Sequence, residues 1–392
     1  ARTENAPNPA EIFGVEITYA PAEEIQKALI NYHNAKGGLA GRKIVPVYHT
    51  FDGSGATAAD VQSQAACDTF TQDNQVAVTL GLGGEVFLSC MAKRGVPSIS
   101  SAYFTGADDY FARYPLYLNA GGFNYTRMAR TLVDGLVRAG YFKSAKSLGV
   151  SSIDSPEWRR AIKLGLRPAL ARHGLPAPLE CSVRDRQTDA DLSGASADLS
   201  ACVLRFQEKQ VSHVMFLAPE NGAAQELLFM RQADSQGYRP RYGLQSGSAP
   251  YLMAENVPPS QLHGALGTGW LPLFDVNEAN QRPPHNDQAK LCLDIIRKAG
   301  IEDATSPNDE QVRLFICESF FLFEASVSRD GRLDGRGIIS GAESLGTSVP
   351  ATAGFGTRLA PDQHDGVVAY RAFAYVDSCE CFRYAGPITK TS

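Results

Sequence analysis

VAVTLGLGGEVFLSCMAKRGVPSIS, residues 76–100, is the stretch from which the fold is read. Residues 76–80 are apolar and β-branched without alternation, the pattern of a strand buried on both faces. They run through Gly81-Leu82-Gly83-Gly84 into residues 86–94, where apolar side chains recur at helical spacing, and then into a second strand-like run at 96–100. A strand that reaches its neighbour through a helix lies parallel to it, so this stretch predicts one βαβ step of a parallel sheet covered on both faces.

The same alternation continues in both directions. Upstream, Ile25, Leu29, Ile30 and His33 place a helix at 22–34 that Gly37 and Gly38 terminate, followed by a strand at 43–49 and a helix at 61–72. Downstream of Gly121-Gly122 a second series begins: helix 125–139, strand 146–151, helix 157–173, a polar loop at 184–196, helix 198–209, strand 213–218, helix 221–236 and strand 241–246. Two series predict an α/β protein of two doubly wound parallel-sheet lobes, with a crevice at the carboxyl ends of the strands. Helices at 289–299 and 309–328 follow; the phenylalanines at 315, 320, 321 and 323 read as core. The turn-rich remainder holds two strand-like runs, 366–370 and 372–376, which read as a returning hairpin.

Composition limits the function classes. The 392 residues carry a formal net charge of −5, which leaves no basic surplus for neutralising nucleic-acid phosphates. No apolar run approaches the roughly 18 residues of a membrane-spanning helix. Residues 1–10 are not a signal peptide, and any export signal is expected to have been removed. Eight cysteines, at 67, 90, 181, 202, 292, 317, 379 and 381, fall as four sequence-local pairs. They read as four disulfides in an extracytoplasmic protein, the alternative being buried reduced thiols. Cys379-x-Cys381 is tighter than a zinc-binding arm and has no second arm, so no metal is expected.

Catalytic and cofactor motifs fail one by one. Val86 stands where a dinucleotide fingerprint would place its third glycine, and no ribose-binding acid follows about 20 residues on, so no cofactor is expected. Nucleophile-elbow, P-loop and zinc-protease motifs are missing, and the seven histidines are scattered. Asn124-Tyr125-Thr126 reads as a helix cap. What remains is a set of small, polar and aromatic residues at the predicted carboxyl ends of strands: Gly83, Gly84 and Glu85; Ala102, Tyr103 and Phe104; Asp154 and Ser155; Glu220 and Asn221; and Ser246. Backbone amides and hydroxyls there suit a polar or anionic group, and aromatic faces suit an apolar body.

Residues 30–44, INYHNAKGGLAGRKI, resemble a segment of the leucine/isoleucine/valine-binding-like family of periplasmic binding proteins, fold type I, with Gly37-Gly38 and Gly41-Arg42 as its most specific part. Residues 96–100, VPSIS, resemble a strand of that family, and residues 356–366, with Pro361 and His364, resemble its closing hairpin. The resemblance implies two lobes joined by three crossings, residues 1–122 with 268–345 and residues 123–267 with 346–392. It also implies a solute held between them, delivery to an ABC transporter permease, a monomer in the periplasm or outside the cell, a lipid anchor on a removed N-terminal segment as one form of attachment, and no catalysis. Cys67 and Cys90 stand where members of the family carry a disulfide.

Departures from the family pattern bear on the ligand. Glycines replace the serine cluster of the first loop, Tyr103 and Phe104 replace small residues, and Ser246 supplies no carboxylate for an ammonium group. An unpaired ammonium in a closed cleft is costly, so an organic or aromatic acid or another non-amino-acid metabolite is expected, walled by Tyr103 and by Trp270 on the hinge strand. The alternatives are a branched-chain or other amino acid, a ligand-sensing ectodomain, and an extracellular hydrolase or lyase using Asp154, Glu220 or Asp275. Residues 1–11 have no strand-like run, so the chain is expected to start after the family's first strand.

Overall fold

A computed structural model describes residues 20–51, 57–81, 83–102, 105–185, 192–217 and 223–392. The expectation about the first strand falls on residues outside this set, as do those for Tyr103, Phe104, Glu220 and Asn221.

The first sheet contains β1 (Thr79–Leu80), β2 (Ser98–Ser100) and β3 (Tyr117–Asn119), all parallel and in that spatial order. The helix Glu85–Lys93 makes the crossover from β1 to β2. One face packs Ile99 and Leu118 against Leu322 and Ile338, from the helices Pro307–Asp330 and Gly335–Glu343. Phe70, Phe87, Met91, Tyr110 and Tyr117 form a separate apolar cluster.

The second sheet has seven strands: β4 (Leu148–Asp154), β5 (Leu179–Arg184), β6 (His213–Leu217), β7 (Arg241–Gln245), β8 (Leu266–Gly269), β9 (Ala369–Val376) and β10 (Cys381–Lys390). Their order is β10-β9-β8-β7-β6-β4-β5, parallel from β5 to β8 and antiparallel from β8 to β10. Because β4 is flanked by β5 on one side and β6 on the other, successive connections leave it in opposite directions. The resulting gap at the carboxyl ends of β4 and β6 is the topological switch point, where open α/β sheets bind ligands.

Helix Tyr125–Arg138 covers this sheet and is buried along most of its length. Asn124 caps it, its Oδ1 accepting from the amides of Thr126 and Arg127. The predicted helix at 157–173 is three pieces, Pro156–Ala161, a π turn at Ile162–Leu166 and Arg167–Arg172. Pro168 has no N–H for the regular ladder, and the widened turn absorbs that loss. Gly165, in the same turn, lets this segment lie directly on Tyr125–Arg138: a Cβ there would stand 2.4 Å from the Thr126 carbonyl oxygen.

Several expectations about elements require correction. Residues 43–49 are not a strand; Asn34 binds both backbone polar groups of Ile44, at 2.7 and 2.9 Å, in place of a neighbouring strand, and Val45 is 77% exposed. The runs 366–370 and 372–376 are not two arms of a hairpin, since β9 is one strand from Ala369 to Val376 and its partner is β10. Strand β5 was not foreseen because it is polar and half-exposed; the hinge strand expected at Trp270 is β8, which is half glycine and ends at Gly269. Gly267 has a physical reason: a Cβ there would lie 2.2 Å from the Phe373 ring.

All four cysteine pairs are disulfides, with Cα separations of 5.2 to 6.3 Å: Cys67–Cys90, Cys181–Cys202, Cys292–Cys317 and Cys379–Cys381.

Candidate functional site

Among the described residues the chain passes between the two sheets three times: at 120–122 after β3, at 270–271 after β8, and along the segment that leads into β9. The passages are tied together. The Asn119 amide donates to the His364 carbonyl at 2.9 Å, and Asp365 accepts from the Asn124 amide at 2.8 Å and pairs with Arg127. A small pocket lies in the middle of this hinge, lined in part by Gly121, Trp270, Glu318, Gly354 and Val367. Glu318 is buried there and accepts from Ser101 Oγ at 3.0 Å and from Thr352 Oγ1 at 2.9 Å. Burial pushes its carboxyl above the usual range against those bonds.

The residues expected at the site fall into two groups. Gly84, Glu85 and Asp154 are exposed on the rims of the sheets. Gly84 precedes its helix with φ +90°, and a Cβ on nearby Gly83 would lie 3.2 Å from the Tyr117 hydroxyl. Glu85 pairs with Arg113 and Asp154 with Arg159. Ser155 caps the helix Pro156–Ala161, accepting from the Trp158 amide at 3.2 Å. The second group is turned inward. The Ala102 amide donates to Asn119 Oδ1 at 3.0 Å. Ser246 is fully buried; its Oγ donates to Asp275 Oδ1 at 2.7 Å and accepts from the Trp270 amide at 2.7 Å. Trp270 is 1% exposed and packs edge-on to Phe123. Asp275 also receives the Tyr384 hydroxyl at 2.8 Å, and burial pushes its carboxyl up to about 7. Ser246, Trp270 and Asp275 are thus brought together at the hinge, away from the exposed rim residues.

Two groups of polar residues, Glu85 apart, were not singled out in the sequence. One bridges the rims: Arg113, on the helix Tyr110–Arg113, pairs with Glu85 at 2.5 Å and with Glu157 of the helix Pro156–Ala161, while Arg160 pairs with Asp108 at 2.6 Å and Asp109 at 3.0 Å. The other lies at the switch point, where Gln225 donates to Ser151 Oγ at 3.0 Å and Glu226 accepts from Ser248 Oγ at 3.3 Å. Both are buried on the first turn of the helix Ala224–Ser235. A Gln-Glu pair just ahead of the apolar run 227–230 was the signal available for the second.

The fold matches known structures over nearly their full length. A periplasmic binding protein type 1 from Bordetella pertussis Tohama I aligns with TM-score 0.68 at 14% identity, covering 98% of both chains. The fold is that of a type I periplasmic binding protein. A solute-binding protein of an ABC transporter from Rhodopseudomonas palustris HaA2, in complex with p-hydroxybenzoic acid, shares this type I fold with TM-score 0.66 at 11% identity, over 98% of this chain and 95% of that one. An ABC transporter substrate-binding protein from Desulfitobacterium hafniense, in complex with Leu, aligns with TM-score 0.62 at 13% identity, over 95% and 97%. No protein-family model matches the sequence, and no curated protein matches it.

Proposed function

We propose that this chain is an extracytoplasmic solute-binding protein that closes its two lobes on a small molecule and presents it to an ABC importer, without chemical turnover. The observation that carries the reading is the type I two-lobed fold with a triple hinge and a switch point edged by polar residues. Closure requires only that the ligand bind one lobe arrangement better than the other. The four disulfides support a setting outside the cytoplasm. A lobe boundary near Val367 is part of the proposal, because Val349 and Leu359 pack with Ile99, Leu118 and Ile338.

For the ligand we favour an aromatic or other organic acid, the hydroxylated benzoates above all. Neighbours of the same fold were solved with 4-hydroxybenzoate and with 3,4-dihydroxybenzoic acid. Ser246 also supports this choice: it is engaged by Asp275 and by the hinge backbone, so it offers no counter-charge to an ammonium. The test is a thermal-shift screen of the purified chain against benzoates, aliphatic acids, amino acids, amides and sugars. A ligand at about 100 times its Kd stabilises the native state by roughly 2.7 kcal/mol, enough to move the midpoint. Hits confined to benzoates are expected; a response to leucine alone would replace the ligand class, and silence throughout would count against the receptor itself.

A further inference from the structure

We propose that Gln225 and Glu226 set the solute specificity of the cleft by recognising an uncharged hydrogen-bonding group, a hydroxyl or primary amide, at the switch point. This rests on the receptor reading above and deepens it. The two residues straddle the carboxyl end of β6. Gln225 reaches toward β4, where its Nε2 is used by Ser151, and Glu226 reaches toward the turn after β7, where its Oε1 is used by Ser248. The remaining atom of each, Gln225 Oε1 and Glu226 Oε2, is buried and has no partner. Other buried polar atoms among the described residues also lack partners, but these two stand on consecutive residues at the edge of a sheet where open α/β folds bind ligands, and that placement singles them out.

The chemistry of the two atoms is specific. Burial pushes the Glu226 carboxyl up to about 8, opposed only by its own backbone and Ser248, so the group is uncharged at neutral pH. Its Oε2 then carries a proton to donate, while Gln225 Oε1 accepts. A hydroxyl complements either atom, donating to Gln225 Oε1 or accepting from Glu226 Oε2, and so does a primary amide. An ammonium finds no negative charge there, and a carboxylate is repelled by the Gln225 oxygen.

The experiment is calorimetric titration of the full chain with 4-hydroxybenzoate, benzoate and leucine. The parent is expected to prefer 4-hydroxybenzoate over benzoate by about tenfold, which corresponds to roughly 1.4 kcal/mol. Glu226→Gln, which keeps a donor in place, should retain that preference to within about threefold; Glu226→Leu and Gln225→Leu should erase it while leaving benzoate affinity nearly unchanged. Equal loss for both benzoates would show that the pair is structural and overturn the proposal, as would an unaltered preference. Gln225→Leu carries the test if Glu226→Leu does not fold, as judged by its melting transition. Leucine binding in preference to both benzoates would overturn the proposed specificity, whereas failure of every probe with the parent would overturn the receptor reading on which it stands.

Discussion

At the residue scale, the hinge depends on a buried hydroxyl–carboxyl–phenol set. Ser246, Asp275 and Tyr384 bond one another where the chain leaves β8. Asp275 has a folded pKa near 7, raised by burial above an unfolded value near 4, so its contribution to stability is fully present in acid and is lost as pH rises through 7. Asp275→Asn should therefore flatten the fall of the melting temperature between about pH 4 and pH 7. An unchanged slope in a scan of melting temperature against pH would rule that out. Trp270 sits in the same place, and truncating it leaves a cavity: Trp270→Ala should cost about 3–5 kcal/mol in a denaturant titration, so it is unsuited to probing ligand contacts. The sequence offered Ser246 and Trp270 as cleft residues because they follow strands. Their inward orientation was not legible, since it depends on Asp275 and Tyr384, which lie 29 and 138 positions from Ser246 in the chain.

At the scale of elements, apolar patterning carried most of the reading. The helices Ala22–Ala35, Tyr125–Arg138 and Pro307–Asp330 and the buried strands β4, β6 and β7 appear within a few residues of their expected positions. Patterning failed where an element is held by something other than its own apolar residues. Residues 43–49 look like a strand but are held by the Asn34 amide, and β8 carries a glycine at 267 because Phe373 needs the space over it. The π turn at Ile162–Leu166 is another case, visible in the sequence only as Pro168. The close approach it permits makes Gly165→Ala a sharp test: the added methyl would meet the Thr126 carbonyl, and a loss of about 1–3 kcal/mol is expected from the urea midpoint. A neutral substitution would mean that the two segments are not in direct contact.

For the molecule as a whole, the ion pairs that bridge the rims matter more than their individual strengths suggest. Exposed pairs contribute about 0–1 kcal/mol each, yet Arg113 and Arg160 together engage Glu85, Asp108, Asp109 and Glu157 on the two sides of the cleft. Raising salt from about 0.01 M to about 1 M shortens the screening length from roughly 30 Å to roughly 3 Å. The radius of gyration of the ligand-free protein, followed by small-angle scattering, should rise over that range, and Arg113→Ala should produce the rise at low salt. A radius indifferent to both would mean that these charges do not influence how the lobes meet.

The four disulfides distribute covalent stiffness unevenly. Cys67–Cys90 joins the helices on either side of β1, Cys181–Cys202 fastens β5 to the helix Leu192–Glu208, Cys292–Cys317 pairs two neighbouring helices, and Cys379–Cys381 closes the turn from β9 to β10. None spans the passages between the sheets. Oxidation therefore stiffens the helices and strands around each sheet and leaves the passages between them unriveted, so under the proposed closure the redox state of the compartment sets how long each half lasts while weak, reversible contacts set how readily the halves part.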